Sequence, residues 1–162
     1  MPMPCYLKLE GETQGKIEGS CIQENHKGTI LVQAIEHLID MPKCPQTGQP
    51  TGPRTHHTMT ITKEFDKSSP KLAQALTSGE RMKSVVLEFY RTSIGGKQEH
   101  YYTVSLENAI VMSIRSWTPN CLASENKAFG HMEDVSYSYE KITWKHEIDS
   151  IEAEDSWLKP KA

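Results

Sequence analysis

The chain has 162 residues, of which 36% are hydrophobic, and its 18 basic and 21 acidic side chains give a formal net charge of −3. This length favours one domain with a sizeable core, and the balanced charge argues against nucleic acid as the main partner, which needs a strongly basic face. No apolar run reaches the roughly 18 residues that a membrane-spanning helix requires, so we expect no membrane insertion.

Alternation of apolar and polar residues predicts strands in the first part of the chain. Residues 5–10 alternate regularly and predict a half-buried strand. In residues 29–41 the alternation changes phase, which predicts a β-bulge or two short strands. A helix is the alternative there, and we favour strands because β-branched residues are frequent and Pro42 follows. Residues 57–63 alternate threonine with larger side chains and predict another strand.

One segment, FDKSSPKLAQALTSG at residues 65–79, predicts a short helix. Ser69 is the expected N-cap, Pro70 the first helical residue and Gly79 the end. An apolar stripe at helical spacing runs through Leu72, Ala73, Ala75 and Leu76. Two to three turns are marginal in water, so this helix is expected to pack on the strands.

The second part of the chain again predicts strands. Residues 83–92 alternate, and Gly95 with Gly96 predicts a hairpin turn into a long return strand at residues 100–117. Residues 133–146 predict the last strand, with a bend or bulge near Glu140, where the alternation changes phase.

These elements predict a mainly β protein with one helix, either a barrel or a sandwich, at residues 1–149. Residues 150–162 are rich in charge and carry a late proline, and we expect a frayed C-terminal tail there. The N-terminal sequence MPMPCYLKLEGE has no basic segment followed by an apolar one, so it predicts no cleaved signal peptide and a protein made in the cytoplasm.

The four cysteines show no close CxxC spacing, and we expect free thiols at Cys5, Cys21, Cys44 and Cys121. No nucleophile motif such as GxSxG is present. The glycine pair at Gly95 and Gly96 precedes a strand, whereas a phosphate-binding turn opens a helix. We therefore predict no catalytic residue, no metal and no cofactor.

A proline-rich stretch, PKCPQTGQPTGPRTHH at residues 42–57, interrupts the strands. As a metal site it offers Cys44, His56 and His57, but adjacent residues of a strand point to opposite faces, which leaves fewer than the three or four ligands that zinc needs. A linker is disfavoured because predicted strands lie on both sides. We favour an extended arm, since prolines reduce the entropy lost on docking.

Two other classes of function stay open at this point. One is a small β-barrel that binds a ligand or metal, with Cys44, His56 and His57 at its mouth. The other is a hydrolase with a carboxylate pair or a Cys/His pair that only the tertiary structure would bring together.

The chain resembles the haemolysin-coregulated protein (Hcp) family, which supplies the tube subunit of bacterial type VI secretion systems. The resemblance rests on five groups of motifs in order: MPMPCYLKLEGETQG at 1–15, PQTGQPTGPRTH at 45–56, DKSSPKL with ALTSGE at 66–80, FYRTS, GKQE and LENA between 89 and 109, and KITWKH at 141–146. Residues 16–28 and 116–130 contribute little to it.

The resemblance implies two β-sheets closed into a barrel with one short flanking helix and a long extended loop. It also implies a homohexameric ring, stacking of rings into a tube, and carriage or chaperoning of type VI effectors. The tube would be capped by a spike protein, surrounded by a contractile sheath, and secreted to the extracellular space or a target cell without a cleaved signal peptide. It implies no enzymatic activity.

The resemblance further implies that the arm, which we define as residues 43–55, meets neighbouring subunits, with Arg54 as its main polar anchor. The predicted interface residues are Lys43, Gln46, Thr47, Gly48, Gln49, Pro50, Thr51, Gly52 and Arg54.

Overall fold

The computed structural model describes residues 3–159; Met1, Pro2 and residues 160–162, the end of the expected tail, lie outside the described residues. In chain order the elements are β1 (Cys5–Gly11), β2 (Gly15–Ile17), β3 (Ile30–Val32), β4 (Ala34–Glu36), β5 (Ile39–Asp40), β6 (Thr55–His56), β7 (Met59–Glu64), α1 (Ser69–Ser78), β8 (Arg81–Thr92), β9 (Gln98–Trp117), β10 (Met132–Ser138), β11 (Lys141–His146) and β12 (Ile151–Ser156).

The strands form one large antiparallel sheet and one small one. The main order is β2-β1-β8-β9-β10-β7-β4, with β3 paired to β1 and β11 paired to both β9 and β12. The 20-residue β9 serves as the spine because β8 and β11 flank its first half and β10 pairs with its second half. Residues 3–159 contain one α-helix and two single-turn 3-10 helices, at Glu24–His26 and Ser124–Asn126. The mainly β class, the α-helix and the β8–β9 hairpin, in which Gly96 adopts a φ of +77°, are as predicted.

The segment of residues 30–36 crosses from one edge of the sheet to the other. β3 pairs with β1, and β4 pairs with β7. Between them, the backbone N–H of Gln33 donates to the carbonyl of Thr62 at 2.8 Å. This change of partner explains the phase change in the sequence. Residues 29–41 form short strands rather than a helix, as predicted, but three of them rather than two, because β5 follows β4. Among residues 3–159 the strand pairings do not form a closed ring, so the closed barrel is not confirmed.

The inward side chains of these strands make a continuous core. Leu7 of β1 lies opposite Leu87 of β8, Leu106 of β9 lies opposite Val85 of β8, and all three leucines have no solvent exposure. Leu72 and Ala75 of α1 join the same cluster, as the apolar stripe predicted. Burial of each leucine side chain contributes about 1.5–3 kcal/mol, which explains why a 10-residue helix is stable here.

The helix starts one position earlier than predicted. Ser68, not Ser69, is the N-cap, and Ser69 is the first helical residue. The reason is a turn built on Asp66, whose carboxylate accepts the Ser68 amide at 2.9 Å while the Asp66 amide donates to the Ser69 hydroxyl at 3.0 Å. Gly79 ends the helix in the left-handed conformation, as predicted.

The last predicted strand is divided in two. β10 pairs with the second half of β9, the chain turns at Tyr139 and Glu140, and β11 pairs with the first half of β9. This division confirms the bend expected near Glu140.

The expectation of a frayed tail is wrong for residues 151–156. They form β12, which pairs along its full length with β11, from Lys141 opposite Ser156 to His146 opposite Ile151. The side chains of Glu152 and Glu154 stay exposed because β12 is an edge strand, whereas Asp155 is half-buried. The order of β12 therefore does not come from apolar burial.

Residues 18–29, where the family motifs gave no guidance, form a tight loop beside β3. Gly19 donates to the carbonyl of Gly28 at 2.9 Å and Cys21 to that of Thr29 at 3.2 Å. The ring of His26 stacks on Tyr6 with 3.8 Å between centroids, which attaches the loop to β1.

Candidate functional site

The arm is a narrow hairpin that extends the small β5–β6 sheet. Lys43 and Pro50 form an antiparallel bridge, and the amide of Thr51 donates to the carbonyl of Pro42 at 2.9 Å. At the tip, the amide of Gly48 donates to the carbonyl of Cys44 at 2.8 Å, and Gly48 has the left-handed φ of +72° that the turn requires. The predicted extended arm is therefore a β-hairpin with its own backbone hydrogen bonds.

The nine predicted interface residues all lie on this hairpin and differ in exposure. Gly52 and Arg54 are half-buried at its base, and the other seven are exposed: Lys43, Gln46, Thr47, Gly48, Gln49, Pro50 and Thr51. Because the tip has no buried apolar side chain, it gains little by folding back on its own chain. Its exposed groups are amides, hydroxyls and backbone, which suit contact with another polar surface.

Arg54 is bound within its own chain. Its guanidinium makes a bidentate pair with Asp155 on β12, at 2.8 Å from Nε to Oδ2 and 3.0 Å from Nη2 to Oδ1. Nη2 also donates to the carbonyl of Ser156 at 2.5 Å. Hydrogen bonding from Arg54 holds the pKa of the Asp155 carboxyl well below its usual range. Arg54 therefore fixes the base of the arm to β12.

The adjacent histidines point to opposite faces, as strand geometry required. His56 is buried, with Nε2 at 2.7 Å from Asp155 Oδ2 and Nδ1 at 2.7 Å from the Tyr139 hydroxyl. His57 is exposed beside Asp40, at 3.1 Å. The indole of Trp157 stacks on the His56 ring at 5.5 Å between centroids.

A second histidine reaches the same hydroxyl from the other leg of the hairpin. His37, between β4 and β5, places Nε2 at 2.8 Å from the Tyr139 hydroxyl. Burial lowers the pKa of His37, and the nearby His56 and His57 lower it further. His37 and the pair of Arg54 and His56 thus hold both legs of the arm against the body of the protein.

The residues considered as metal ligands do not come together as a metal site. Both ring nitrogens of His56 are engaged by protein groups, and Cys44 lies at the tip with Thr47, whose hydrogen bond lowers the pKa of the Cys44 thiol. Residues 3–159 contain no group of three or more His, Cys, Asp or Glu side chains arranged to hold a metal ion.

Within residues 3–159, no helix is both long enough and apolar enough to cross a membrane.

Four residues of the arm base were not predicted from the sequence: His37, Tyr139, Asp155 and Trp157. The alternation of residues 135–139 places Tyr139 on the buried face of its strand. A buried tyrosine hydroxyl needs a hydrogen-bond partner, and two histidines lie in the predicted strands, so this contact could have been considered. Nothing in the sequence indicated Asp155, which belongs to the segment expected to fray.

The fold and the arm define a mainly β protein with one packed helix that projects an exposed hairpin anchored by its own C-terminal strand. A sequence profile described as "Type VI secretion system effector, Hcp" matches residues 6–146. The chain is 44% identical over 171 residues to the "Major exported protein" of Pseudomonas aeruginosa PAO1, covering 100% of this chain and 99% of that one. It belongs to the Hcp family of type VI secretion.

Two solved structures resemble the whole chain. One described as "Crystal structure of Hcp protein" has a TM-score of 0.91 at 34% identity, covering 98% of this chain and 99% of the other. The "Secreted protein Hcp3 from Pseudomonas aeruginosa" has a TM-score of 0.78 at 37% identity, covering 96% and 99%. Both similarities extend over nearly the whole length of the two chains compared.

Proposed function

We propose that this chain is the structural subunit of the type VI secretion inner tube. In this proposal it forms hexameric rings that stack into a tube, carries or chaperones effectors, and is itself secreted to the extracellular space or a target cell. Its partners are further copies of itself, effectors, the spike protein and the contractile sheath, and it has no catalytic role.

The observation that carries the proposal is the arm, considered together with the family to which the chain belongs. Residues 43–51 project an ordered hairpin whose side chains contact little of the rest of the subunit. A closed ring needs one surface patch to meet a different patch on the next copy. A rigid arm with a polar, proline-rich tip suits such a contact because little conformational entropy is lost when it docks.

The exposure of the predicted interface residues supports two different roles in this proposal. We infer that Lys43 and the tip residues 46–51 contact the neighbouring copy directly, since they are exposed. Arg54 acts from within the subunit, because its pair with Asp155 sets the direction in which the arm leaves the body.

The proposal includes closure of the sheet into a barrel. Support comes from residues 30–36, which lie along β1 and then along β7, with the Gln33 amide bonded to Thr62 between the two pairings. In a closed barrel the Gln33 amide is protected from hydrogen exchange as strongly as the amides of β7. Exchange of Gln33 at the rate of an exposed loop would contradict closure.

Removal of the arm tip tests the assembly role. Asp40 and Thr55 are cross-strand partners, so after deletion of residues 46–52 the seven residues 41–45, 53 and 54 remain to connect β5 to β6. We expect the wild type to give six-fold rings by light scattering and negative-stain microscopy, and the deletion variant to fold but to lose rings or stacks.

The control is Ile94→Ser at the exposed β8–β9 turn, which should assemble like the wild type. Unchanged hexamers and tubes after the deletion would refute the role of the arm, and a wild type that stays monomeric at micromolar concentration would refute the proposed function.

A further inference from the structure

A chain of hydrogen bonds holds the base of the arm. It runs from His37 on the first leg to the Tyr139 hydroxyl, from there to His56 on the second leg, and on to Asp155 of β12 and Arg54. His56 and Tyr139 are 6% and 4% exposed, so charge placed here is poorly screened by solvent. Two imidazoles therefore share one buried hydroxyl that has a single proton.

The donor and acceptor roles follow from the chemistry of the groups. An ionised carboxylate only accepts, so His56 presents its Nε2–H to Asp155. Nδ1 of a neutral His56 is then an acceptor, and the Tyr139 hydroxyl donates to it. The Tyr139 oxygen in turn accepts from the Nε2–H of His37. Every group in this chain, which we call the relay, is satisfied when both histidines are neutral.

One added proton preserves the relay. On His37 it occupies Nδ1 and leaves the bond to Tyr139 unchanged. On His56 it occupies Nδ1, and the Tyr139 hydroxyl reverses to donate to His37 in its other tautomer. A second proton breaks the relay, because both rings then present N–H to one oxygen, the hydroxyl proton has no acceptor, and two cations flank it.

We propose that the relay is a two-proton latch on the arm: acidification that charges both His37 and His56 detaches the first leg from Tyr139, while Arg54 keeps the second leg on Asp155. The consequence rests on the proposed assembly role, since a loosened arm weakens rings or stacks in acid. The titratable or charged groups around the relay are Asp40, Arg54, His56, His57, Tyr139 and Asp155.

The pKa of His37 is consistent with a latch that opens only in acid. Its pKa is lowered by burial first and by the charges of His56 and His57 second. The second proton therefore arrives below pH 6.5, the ordinary value for histidine. The pair of Arg54 and Asp155 persists through that range because the Asp155 carboxyl stays ionised.

Hydrogen exchange at pH 7.5 and 5.0 tests the latch directly. The amides of residues 38–41 and 54–57 are measured, corrected for the intrinsic pH dependence of exchange and referenced to β10. We expect the wild type to lose at least fivefold protection at pH 5.0. His37→Gln keeps an N–H donor toward Tyr139 and cannot be charged, so it should lose none. His131→Gln, outside the relay, should respond like the wild type.

The latch is overturned by unchanged protection in the wild type at pH 5.0, or by an equal loss in His37→Gln. If His37→Gln does not fold, Tyr139→Phe provides the second test. It removes the shared hydroxyl, so low protection at both pH values is expected, and a retained fivefold response would refute the latch. Microscopy of the same samples separates the two claims, because wild-type rings absent at pH 7.5 refute the assembly role whatever the exchange shows.

Discussion

Lys63 at the end of β7 offers a sharp test of how the helix is attached to the sheet. Its side chain has no solvent exposure, and its ammonium contacts Glu133, the Ser69 hydroxyl at 3.1 Å and Asp66 at 3.1 Å. Glu133 has a 4% exposed side chain, so Lys63→Met leaves a buried carboxylate whose one remaining side-chain donor among residues 3–159 is the Ser69 hydroxyl. Removal of one partner from a buried ion pair costs about 3–5 kcal/mol.

That loss is large enough to measure in a chain of this size. About 2–4 °C of melting temperature corresponds to each kcal/mol, so Lys63→Met should lower Tm by roughly 6–20 °C at fixed protein concentration. Urea unfolding followed by circular dichroism gives the free energy of unfolding, with an unchanged m-value if only stability changes.

Two further variants separate the ion pair from general effects of the substitution. Lys63→Met combined with Glu133→Leu should recover at least half of the loss, because no charge is then stranded. Lys83→Met removes a 63% exposed lysine that lies 3.8 Å from Glu10, and should change stability by less than about 0.5 kcal/mol. A loss below about 1 kcal/mol for Lys63→Met, or a double variant no better than the single one, would refute this account of the pair.

Two other substitutions have expected outcomes. A Cβ added at Gly19 would lie 2.4 Å from the carbonyl oxygen of Thr29, so Gly19→Ala should cost about 1–3 kcal/mol in thermal or urea unfolding; a neutral effect would mean that the loop moves freely. Hydrogen bonds from Gln14 and Thr13 hold the pKa of Glu80 below its usual value, so this carboxylate stabilises the fold above about pH 4.3, and that contribution is lost as pH falls through the lowered pKa. Glu80→Gln should therefore lower the free energy of unfolding by about 2 kcal/mol at pH 7, and the difference from the wild type should shrink below pH 4. A difference at pH 3 equal to that at pH 7 would contradict this role of Glu80.

Several features were accessible from the sequence because their signals are local. The alternation in β1, β8 and β9 follows from the two-residue period of a strand with one buried face. The helix end at Gly79 and the hairpin turn at Gly96 follow from backbone conformations that glycine adopts readily. The proline-rich arm was also recognisable, because prolines and glycines without apolar residues describe an extended exposed segment.

Features set by distant residues were not accessible. β12 has no apolar alternation, and it is ordered by pairing with β11 and by the contact of Asp155 with Arg54, 101 positions away in the chain. The same applies to Lys63, which the sequence placed at a strand end and the fold buried against Glu133, 70 positions away. No local pattern encodes contacts at such separations.

By itself, the sequence determined the strand faces, the helix, the family and the existence of the arm, since each depends on neighbouring residues or on ordered motifs. The tertiary structure alone decided how the arm is held. Arg54, predicted as an interface residue, binds Asp155 within its own chain. His37 and His56 meet at Tyr139 because β12 and the turn after β10 come together at the base of the hairpin. The physical reason is that long-range strand pairing sets which polar groups are buried together, and buried polar groups take the partners that the fold provides.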